Sequence, residues 1–204
     1  MKKFSLILLM SLLTLSYSKA QEVNFGAKAG VNFADIKGKD VSSFDGRTCF
    51  HAGIMVEIML SEKFAFQPEL LYSCQGSDYS ETYDIGTDTF VKAGLTYSGT
   101  VEADFLNMPL MAKYFITEGF SLEVGPQIGL LLSAKDAYDL AGDSGEEDIK
   151  EYLKGIDFGV NFGLGYKLEN GLNVAVRYNL GLTDLNDDPD YLGDSDYKNG
   201  VFQI

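Results

Sequence analysis

The sequence predicts an all-β fold: an eight-stranded, antiparallel, up-and-down transmembrane β-barrel whose eighth strand is truncated. Three observations predict this fold. Most of the chain consists of runs in which apolar and polar side chains alternate strictly, which is the period of a β-strand. The links between these runs are long and short in turn. One face of each run carries large apolar side chains, whereas the other carries glycine, polar and charged residues.

The clearest runs are residues 156–168 and 172–183, which form a predicted hairpin. Both exceed the usual length of a strand in a soluble protein, and both suit a tilted strand that spans a membrane. Residues 169–171 between them end in glycine and fit a three-residue loop that closes in the left-handed region.

The loop length determines which residues pair across a hairpin. A three-residue loop places Phe162 opposite Tyr178, so that the apolar faces of the two strands coincide. A two-residue loop would set the apolar face of one strand against the polar face of the other, because a slip of one residue inverts every side chain. The same rule, applied to the link at residues 117–119, predicts that Lys113 lies opposite Glu123.

Alternation extends over the rest of the chain and predicts six further strands. The eight predicted strands cover residues 22–34, 49–60, 64–75, 104–116, 120–133, 156–168, 172–183 and 199–204.

The links between the predicted strands alternate in length. Those after the second, fourth and sixth strands have three residues. Those after the odd-numbered strands are long and polar, and all but the first of them are rich in acidic residues. Outer-membrane barrels combine short periplasmic turns with long extracellular loops in this way. Within the long links, we expect the middle of residues 76–103 to extend a hairpin beyond the membrane, and residues 146–154 to form one or two helical turns.

The two faces of the strands predict which side points outward. An eight-stranded barrel has little interior volume, so the large apolar face is expected to contact lipid and the small polar face to line the interior. A soluble exported barrel, with its apolar face inside, is the alternative. Charged side chains on the polar faces are expected to form a structural network in the interior rather than an acid/base pair. This predicted network consists of Lys28, Glu57, Glu69, Lys113, Glu123, Asp157, Lys167 and Arg177.

The first twenty residues have the features of a signal peptide. Lys2 and Lys3 precede an apolar run. Small residues, Ser18 and Ala20, stand at positions −3 and −1 of the expected cleavage site, which follows Ala20. The mature chain would be residues 21–204. Without the three lysines of this segment, 13 basic residues face 30 acidic ones, a net charge near −17. A nucleic acid is therefore not expected as a partner.

The chain resembles the PorT-like eight-stranded outer-membrane barrels, also described as the porin family. The likeness lies in FGAKAGVNFADI, FQPELLYSCQGS, FLNMPLMAKYF, LEVGPQIGLLLSAK and the hairpin at residues 156–183. It implies an outer-membrane location, contact with lipid and insertion by the barrel-assembly machinery, and it carries no catalytic motif. The chain departs from the family pattern at Ile204, where the last strand stops short of the usual aromatic end and leaves the edge of the first strand unpaired.

These features predict a structural or interaction protein, with an unknown protein or surface ligand at its extracellular loops. The alternative is a narrow channel or a secretion accessory protein. We expect no enzymatic activity and no cofactor, because the chain shows no nucleophile–base set and His51 is its single histidine. Residues 184–190 are acidic, and a solvated loop is favoured there over calcium binding.

Two cysteines leave a further alternative open. Cys49 and Cys74 lie at similar heights on neighbouring predicted strands, in a chain bound for an oxidising compartment. The register, however, places their side chains on opposite faces, so that a disulfide requires a local bulge.

Overall fold

The computed structural model describes residues 22–37, 44–84, 94–140, 143–192 and 196–204. The predicted signal peptide, residues 1–20, lies outside these ranges. Within them the strands are β1 (Val23–Lys37), β2 (Phe44–Met59), β3 (Phe64–Asp84), β4 (Gly94–Phe115), β5 (Phe120–Leu140), β6 (Asp143–Asp148), β7 (Ile156–Lys167), β8 (Asn173–Gly181) and β9 (Lys198–Gln203). A 3-10 turn, Lys150–Tyr152, and a one-turn helix α1, Pro189–Leu192, complete the described elements.

Eight of these strands form a closed antiparallel ring. Each strand from β1 to β5 pairs with the next, β5 pairs with β7, β7 with β8, β8 with β9, and β9 returns to β1. The remaining strand, β6, pairs with the far end of β5 beyond the ring. The predicted fold class, an eight-stranded up-and-down barrel, is therefore confirmed.

The predicted registers are confirmed as well. Phe162 lies opposite Tyr178, and Lys113 lies opposite Glu123. The loop of the β7–β8 hairpin closes with a hydrogen bond of 2.8 Å from the backbone N–H of Leu168 to the carbonyl of Leu172. Gly171 has a φ of +88°, the left-handed conformation for which glycine was expected there.

The strands of the central hairpins are longer than predicted. β3 and β4 keep a single register from the pair Phe64–Tyr114 to the pair Asp84–Gly94, which confirms the expected hairpin extension. The prediction of helical turns at residues 146–154 was wrong in its first part, because residues 146–148 belong to β6 and pair with β5. Only Lys150–Tyr152 is helical. Helix α1 was not predicted, although a proline at its first position is typical of a helix start.

The ring is apolar outside and polar inside. Large apolar side chains project from the outer surface; among them Phe25 is 83% exposed and Phe162 is 52% exposed. The inward positions hold buried polar and charged residues. This arrangement agrees with the predicted membrane barrel and not with the soluble barrel that was the alternative. Phe64 and Tyr114 pack with ring centroids 4.9 Å apart near the short turns. Phe50 and Tyr72 pack at 5.7 Å near the long loops.

The short strand β9 closes only part of the ring. It pairs with β1 from Asn32 to Lys37 and with β8 from Arg177 to Leu180. Toward the short turns, no strand in the described part of the chain pairs with residues 23–30 of β1 on that side. Among the described residues, no helix is long and apolar enough to cross a membrane.

Candidate functional site

The interior of the ring holds a continuous series of ion pairs. Its seven members alternate in sign from end to end, and each comes from a different strand of the ring, with β9 as the one strand that contributes none. In spatial order they are Lys28, Glu69, Arg177, Glu123, Lys113, Glu57 and Lys167. We call this series the interior charge chain.

Arg177 lies at the centre of the interior charge chain. Its Nη1 and Nη2 donate to the two oxygens of Glu69, each at 2.9 Å, in a bidentate pair. Nη2 also donates to Glu123 Oε2 at 2.9 Å. The side chains of all three residues are at most 2% exposed, so the guanidinium of β8 links two buried carboxylates, one on β3 and one on β5.

Lys113 forms the second junction. Its Nζ lies 2.8 Å from Glu57 Oε2 and 3.4 Å from Glu123 Oε1. It also donates to Gln67 Oε1 at 3.1 Å, and Gln67 Nε2 in turn donates to Glu69 at 2.7 Å. The neutral amide of Gln67 therefore connects both halves of the interior charge chain.

Two lysines end the interior charge chain and are the most accessible of its members. Lys28 Nζ lies 3.2 Å from Glu69 and the side chain is 17% exposed, while Lys167 Nζ lies 3.1 Å from Glu57 and is 37% exposed. Long basic side chains reach solvent in this way while their stems stay against protein.

Inward-facing glycines provide the space for these contacts. Gly53 of β2 lies between Lys28 and the strand that carries Glu69. Gly163 of β7 lies between Arg177 and Glu123, and a Cβ at Gly163 would come within 2.8 Å of the Val176 carbonyl. Glycine at these positions lets a long side chain cross a neighbouring strand.

The interior charge chain contains four cations and three carboxylates, and each carboxylate contacts two cations. Burying charges without partners is costly, whereas a fully paired network is tolerated. Carboxylates held between two cations fix the walls to one another. Such groups are poorly arranged to accept a proton from a substrate.

Asp157, the eighth residue of the predicted network, lies apart from the interior charge chain. Asp157 Oδ2 accepts a hydrogen bond of 3.0 Å from Asn199 of β9. Asp157 pairs with Gly129 on β5, toward the long loops, whereas Glu123 of β5 lies nearer the short turns. Alternation predicts that a residue faces inward, but it does not determine the position of that residue along the barrel axis. Asp157 and the interior charge chain therefore share the inward face at different positions along this axis.

A layer of neutral polar side chains lies beside the interior charge chain. Asn32 is its centre: its Oδ1 lies 2.8 Å from His51 Nδ1, and its Nδ2 donates to Ser73 Oγ at 3.0 Å. Gln203 of β9 donates to the same Asn32 oxygen at 3.1 Å. His51 is thus a buried partner of an amide. Neither Asn32 nor Gln67 was among the predicted site residues, although their positions on inward faces could have suggested them.

Apolar residues pack over the interior near the long loops. Ile149 packs with Phe105 and Leu131 in a buried cluster. A second contact joins two segments at this rim: Lys154 donates from its backbone to Leu185 at 2.9 Å and from Nζ to the Asp184 carbonyl at 2.9 Å.

Asp184 holds its own segment in place. Its Oδ1 accepts hydrogen bonds from the backbone N–H groups of Asn186 at 3.1 Å and Tyr197 at 2.9 Å. Burial raises the pKa of this carboxyl, but those N–H groups, together with the charges of Lys154 and Lys198, outweigh burial and hold the pKa below its usual value.

A cavity of about 610 Å³ adjoins the interior charge chain on the side where β9 is short. Arg177, Lys28 and Glu123 line its inner side, whereas Phe25 and Val174, which project from the outer surface, line its outer side. The cavity therefore passes between β1 and β8. Within the described part of the chain, no three His, Cys, Asp or Glu side chains are placed to hold a metal ion.

A protein-family model described as outer membrane protein beta-barrel domain matches residues 18–187. No curated protein sequence matches the chain. Similar solved structures include two of one protein and one of another. Ail, the attachment invasion locus protein of Yersinia pestis, has 13% sequence identity and a TM-score of 0.45 over 88% of this chain and 94% of that chain.

The same Ail protein in complex with the heparin analogue sucrose octasulfate has 11% identity and a TM-score of 0.47, over 89% of this chain and 96% of that chain. Neisserial surface protein A has 13% identity and a TM-score of 0.39, over 89% and 95%. All three TM-scores are below 0.5, and the fold assignment follows from the strand pairings of this chain.

Proposed function

Since the chain belongs to the family of outer membrane protein beta-barrel domains, we propose that it is a non-conducting outer-membrane barrel that anchors an extracellular β-sheet for contact with a partner. In this proposal the ring is a support and the sheet is the interaction surface. The role is structural, without enzymatic activity or a cofactor.

One observation carries the proposal: side chains of the interior charge chain cross the ring from wall to wall. Arg177 on β8 contacts Glu69 on β3 at 2.9 Å, and Glu69 also contacts Lys28 on β1. Because these charged side chains are paired and buried inside the ring, they leave little room for a hydrated ion along the barrel axis. The amides around Asn32 and the apolar cluster around Ile149 add further layers toward the long loops.

Planar-bilayer recording tests the closed interior. The full-length protein should show no stable conductance. A variant that carries Arg177→Ser, Glu69→Ser and Glu123→Ser should conduct if it keeps the heat-dependent gel mobility of a folded barrel, and it serves as the positive control. Stable, large conductance from the unchanged protein would refute the proposal and favour the narrow-channel alternative.

The proposed interaction surface is the part of β3, β4 and β5 that continues beyond the ring, together with β6. Tyrosines stabilise it: Tyr79 packs against Tyr97 with centroids 5.4 Å apart, and Tyr97 against Tyr138 at 6.4 Å. Tyr79 also donates a hydrogen bond of 2.9 Å to Asp136 Oδ1. Burial raises the pKa of this aspartate, and the hydrogen bond from Tyr79 acts in the opposite direction. An ordered sheet offers a partner a fixed shape.

Surface labelling tests where the sheet lies. Ser144 of β6 is exposed, so Ser144→Cys in a chain with Cys49→Ser and Cys74→Ser should react with a membrane-impermeant maleimide on intact cells. Reaction only after the outer membrane is permeabilised would place the sheet on the periplasmic side and contradict the proposal.

The remaining expectations belong to the same proposal. We propose that residues 1–20 direct export, which requires that N-terminal sequencing of the mature protein begin at Gln21. Outer-membrane lipid surrounds the apolar belt, and the barrel-assembly machinery inserts the chain. A net charge of −14 disfavours nucleic acid as the partner. The likeness to PorT-like members stays at the level of the sequence segments given above.

A further inference from the structure

The ladder between β2 and β3 is open at one place. From Gly46 to His51, β2 advances five residues, while β3 advances four, from Ser77 to Ser73, so β2 contains one extra residue. The pairing with β1 continues without interruption over the same residues of β2. This irregularity is therefore a β-bulge confined to the β2–β3 side.

Side chains replace the missing ladder hydrogen bonds at this bulge. Asn32 Nδ2 donates to the carbonyl of Phe50 at 3.2 Å and to the carbonyl of Cys74 at 2.7 Å. Arg47 Nη1 donates to the carbonyl of Gln75 at 3.2 Å. In a regular ladder these carbonyls would accept from the neighbouring strand. The backbones of β2 and β3 are thus held apart, with room for side chains between them.

Both cysteines of the chain lie at this opening. Cys49 Sγ donates to the carbonyl oxygen of Cys74 at 2.7 Å. Cys74 is buried, Cys49 is partly exposed, and both are free thiols. The alternation of the strands places their side chains on opposite faces of the wall. The open ladder removes that obstacle, because Cys49 Sγ enters the space between the strands and reaches the backbone of Cys74.

We propose that Cys49 and Cys74 are a disulfide-forming pair, oxidised after export by a protein disulfide through thiol–disulfide exchange. Cys49, the more accessible thiol, loses its proton and attacks the disulfide of the oxidant, which releases one thiolate and leaves a mixed disulfide. Cys74 loses its proton and attacks the Cys49 sulfur, which forms the internal disulfide and releases the second thiolate. Two electrons pass to the oxidant, whose disulfide becomes a dithiol.

The proposed bond would join β2 and β3 covalently where their ladder is open. That position lies at the base of the extended sheet, just beyond the wall layer that contains His51 and Ser73. The bond would compensate there for the hydrogen bonds that the bulge removes. An exposed strand end is thereby held against its neighbour.

Alkylation of the full-length protein tests the proposal. Protein isolated from outer membranes in acid is denatured with N-ethylmaleimide, and its intact mass is measured before and after reduction. We expect no alkyl group without reduction and two after it. Protein that carries chiefly two alkyl groups without reduction would overturn the proposal.

A second measurement uses reduced, folded protein in detergent with oxidised glutathione. We expect a product that is lighter by two hydrogen atoms and holds no glutathione. Cys74→Ser should instead retain one glutathione on Cys49, and its heat-dependent gel mobility reports whether it folds. A lasting glutathione adduct on the unchanged protein, or no reaction at all, would show that the thiols cannot join in the folded barrel and would overturn the proposal.

Discussion

Replacement of Arg177 should destabilise the barrel more than any other single change in the interior charge chain. Its guanidinium donates three hydrogen bonds of 2.9 Å to Glu69 and Glu123, and its side chain is 1% exposed. In Arg177→Met both carboxylates stay buried with one cation each, Lys28 at 3.2 Å and Lys113 at 3.4 Å. Removing one partner of a buried ion pair typically costs about 3–5 kcal/mol, and we expect a loss of this size in the free energy of unfolding.

A matched double variant separates charge from packing. Arg177→Met with Glu123→Gln leaves two sets of ions in which every charge has a partner: Lys28 with Glu69, and Glu57 between its two lysines. We expect the double variant to be more stable than Arg177→Met alone, because Glu123, which keeps only Lys113 at 3.4 Å in the single variant, no longer buries a charge.

Urea unfolding in lipid vesicles is the assay, followed by far-ultraviolet circular dichroism and by heat-dependent gel mobility. Tryptophan fluorescence is not an option, because the chain has no tryptophan. A loss below about 1 kcal/mol for Arg177→Met, the range of an exposed ion pair, would refute the buried-network reasoning. So would a double variant that is no more stable than the single one.

Two further predictions concern a turn and the rim near the long loops. Gly171→Ala should cost about 1–2 kcal/mol in urea unfolding, since the backbone there is left-handed. No atom lies within 4 Å of the new Cβ, so a steric clash does not contribute. Gly155→Ala, equally unhindered and without a positive φ, should change the free energy of unfolding by less than about 1 kcal/mol, and equal losses in the two variants would contradict the backbone explanation. The pKa of Asp184 is held below its usual 3.8, so the stability that its carboxylate contributes is present above that pH and is lost as the pH falls through the lowered pKa. Pepsin should therefore cleave this rim of the unchanged protein faster below pH 3.8. The variant Asp184→Asn should be cleaved readily, with little dependence on pH. If the variant kept the pH profile of the unchanged protein, Asp184 would be excluded as the cause.

Local patterns explain how much of the fold could be predicted. Alternation in residues 156–183 predicted two strands, and the glycine of the intervening loop predicted their register, which the pairing of Phe162 with Tyr178 confirms. The ends of strands toward the long loops were harder to predict. Residues 146–148 have the acidic composition of a loop, yet they form part of β6 because β5 offers them a free edge.

Asp157 illustrates the limit for the candidate site. The alternation of β7 placed Asp157 on the same polar face as Lys167, but the two residues lie ten positions apart along the strand. Only Lys167 reaches Glu57, whereas Asp157 lies beside Asn199. Gln67 shows the converse: a neutral side chain on an inward face joins Lys113 to Glu69.

The sequence by itself determined which residues face lipid, which face the interior, and where the chain turns. These properties follow from the two-residue period of a strand and from the conformations of turn residues, both of which are local. Only the tertiary structure decided which inward residues meet, because heights in a barrel depend on how all eight strands are staggered around the ring. Arg177 and Glu69, from β8 and β3, come into contact for that reason, and the bulge beside Cys49 follows from strand pairings on both sides of β2.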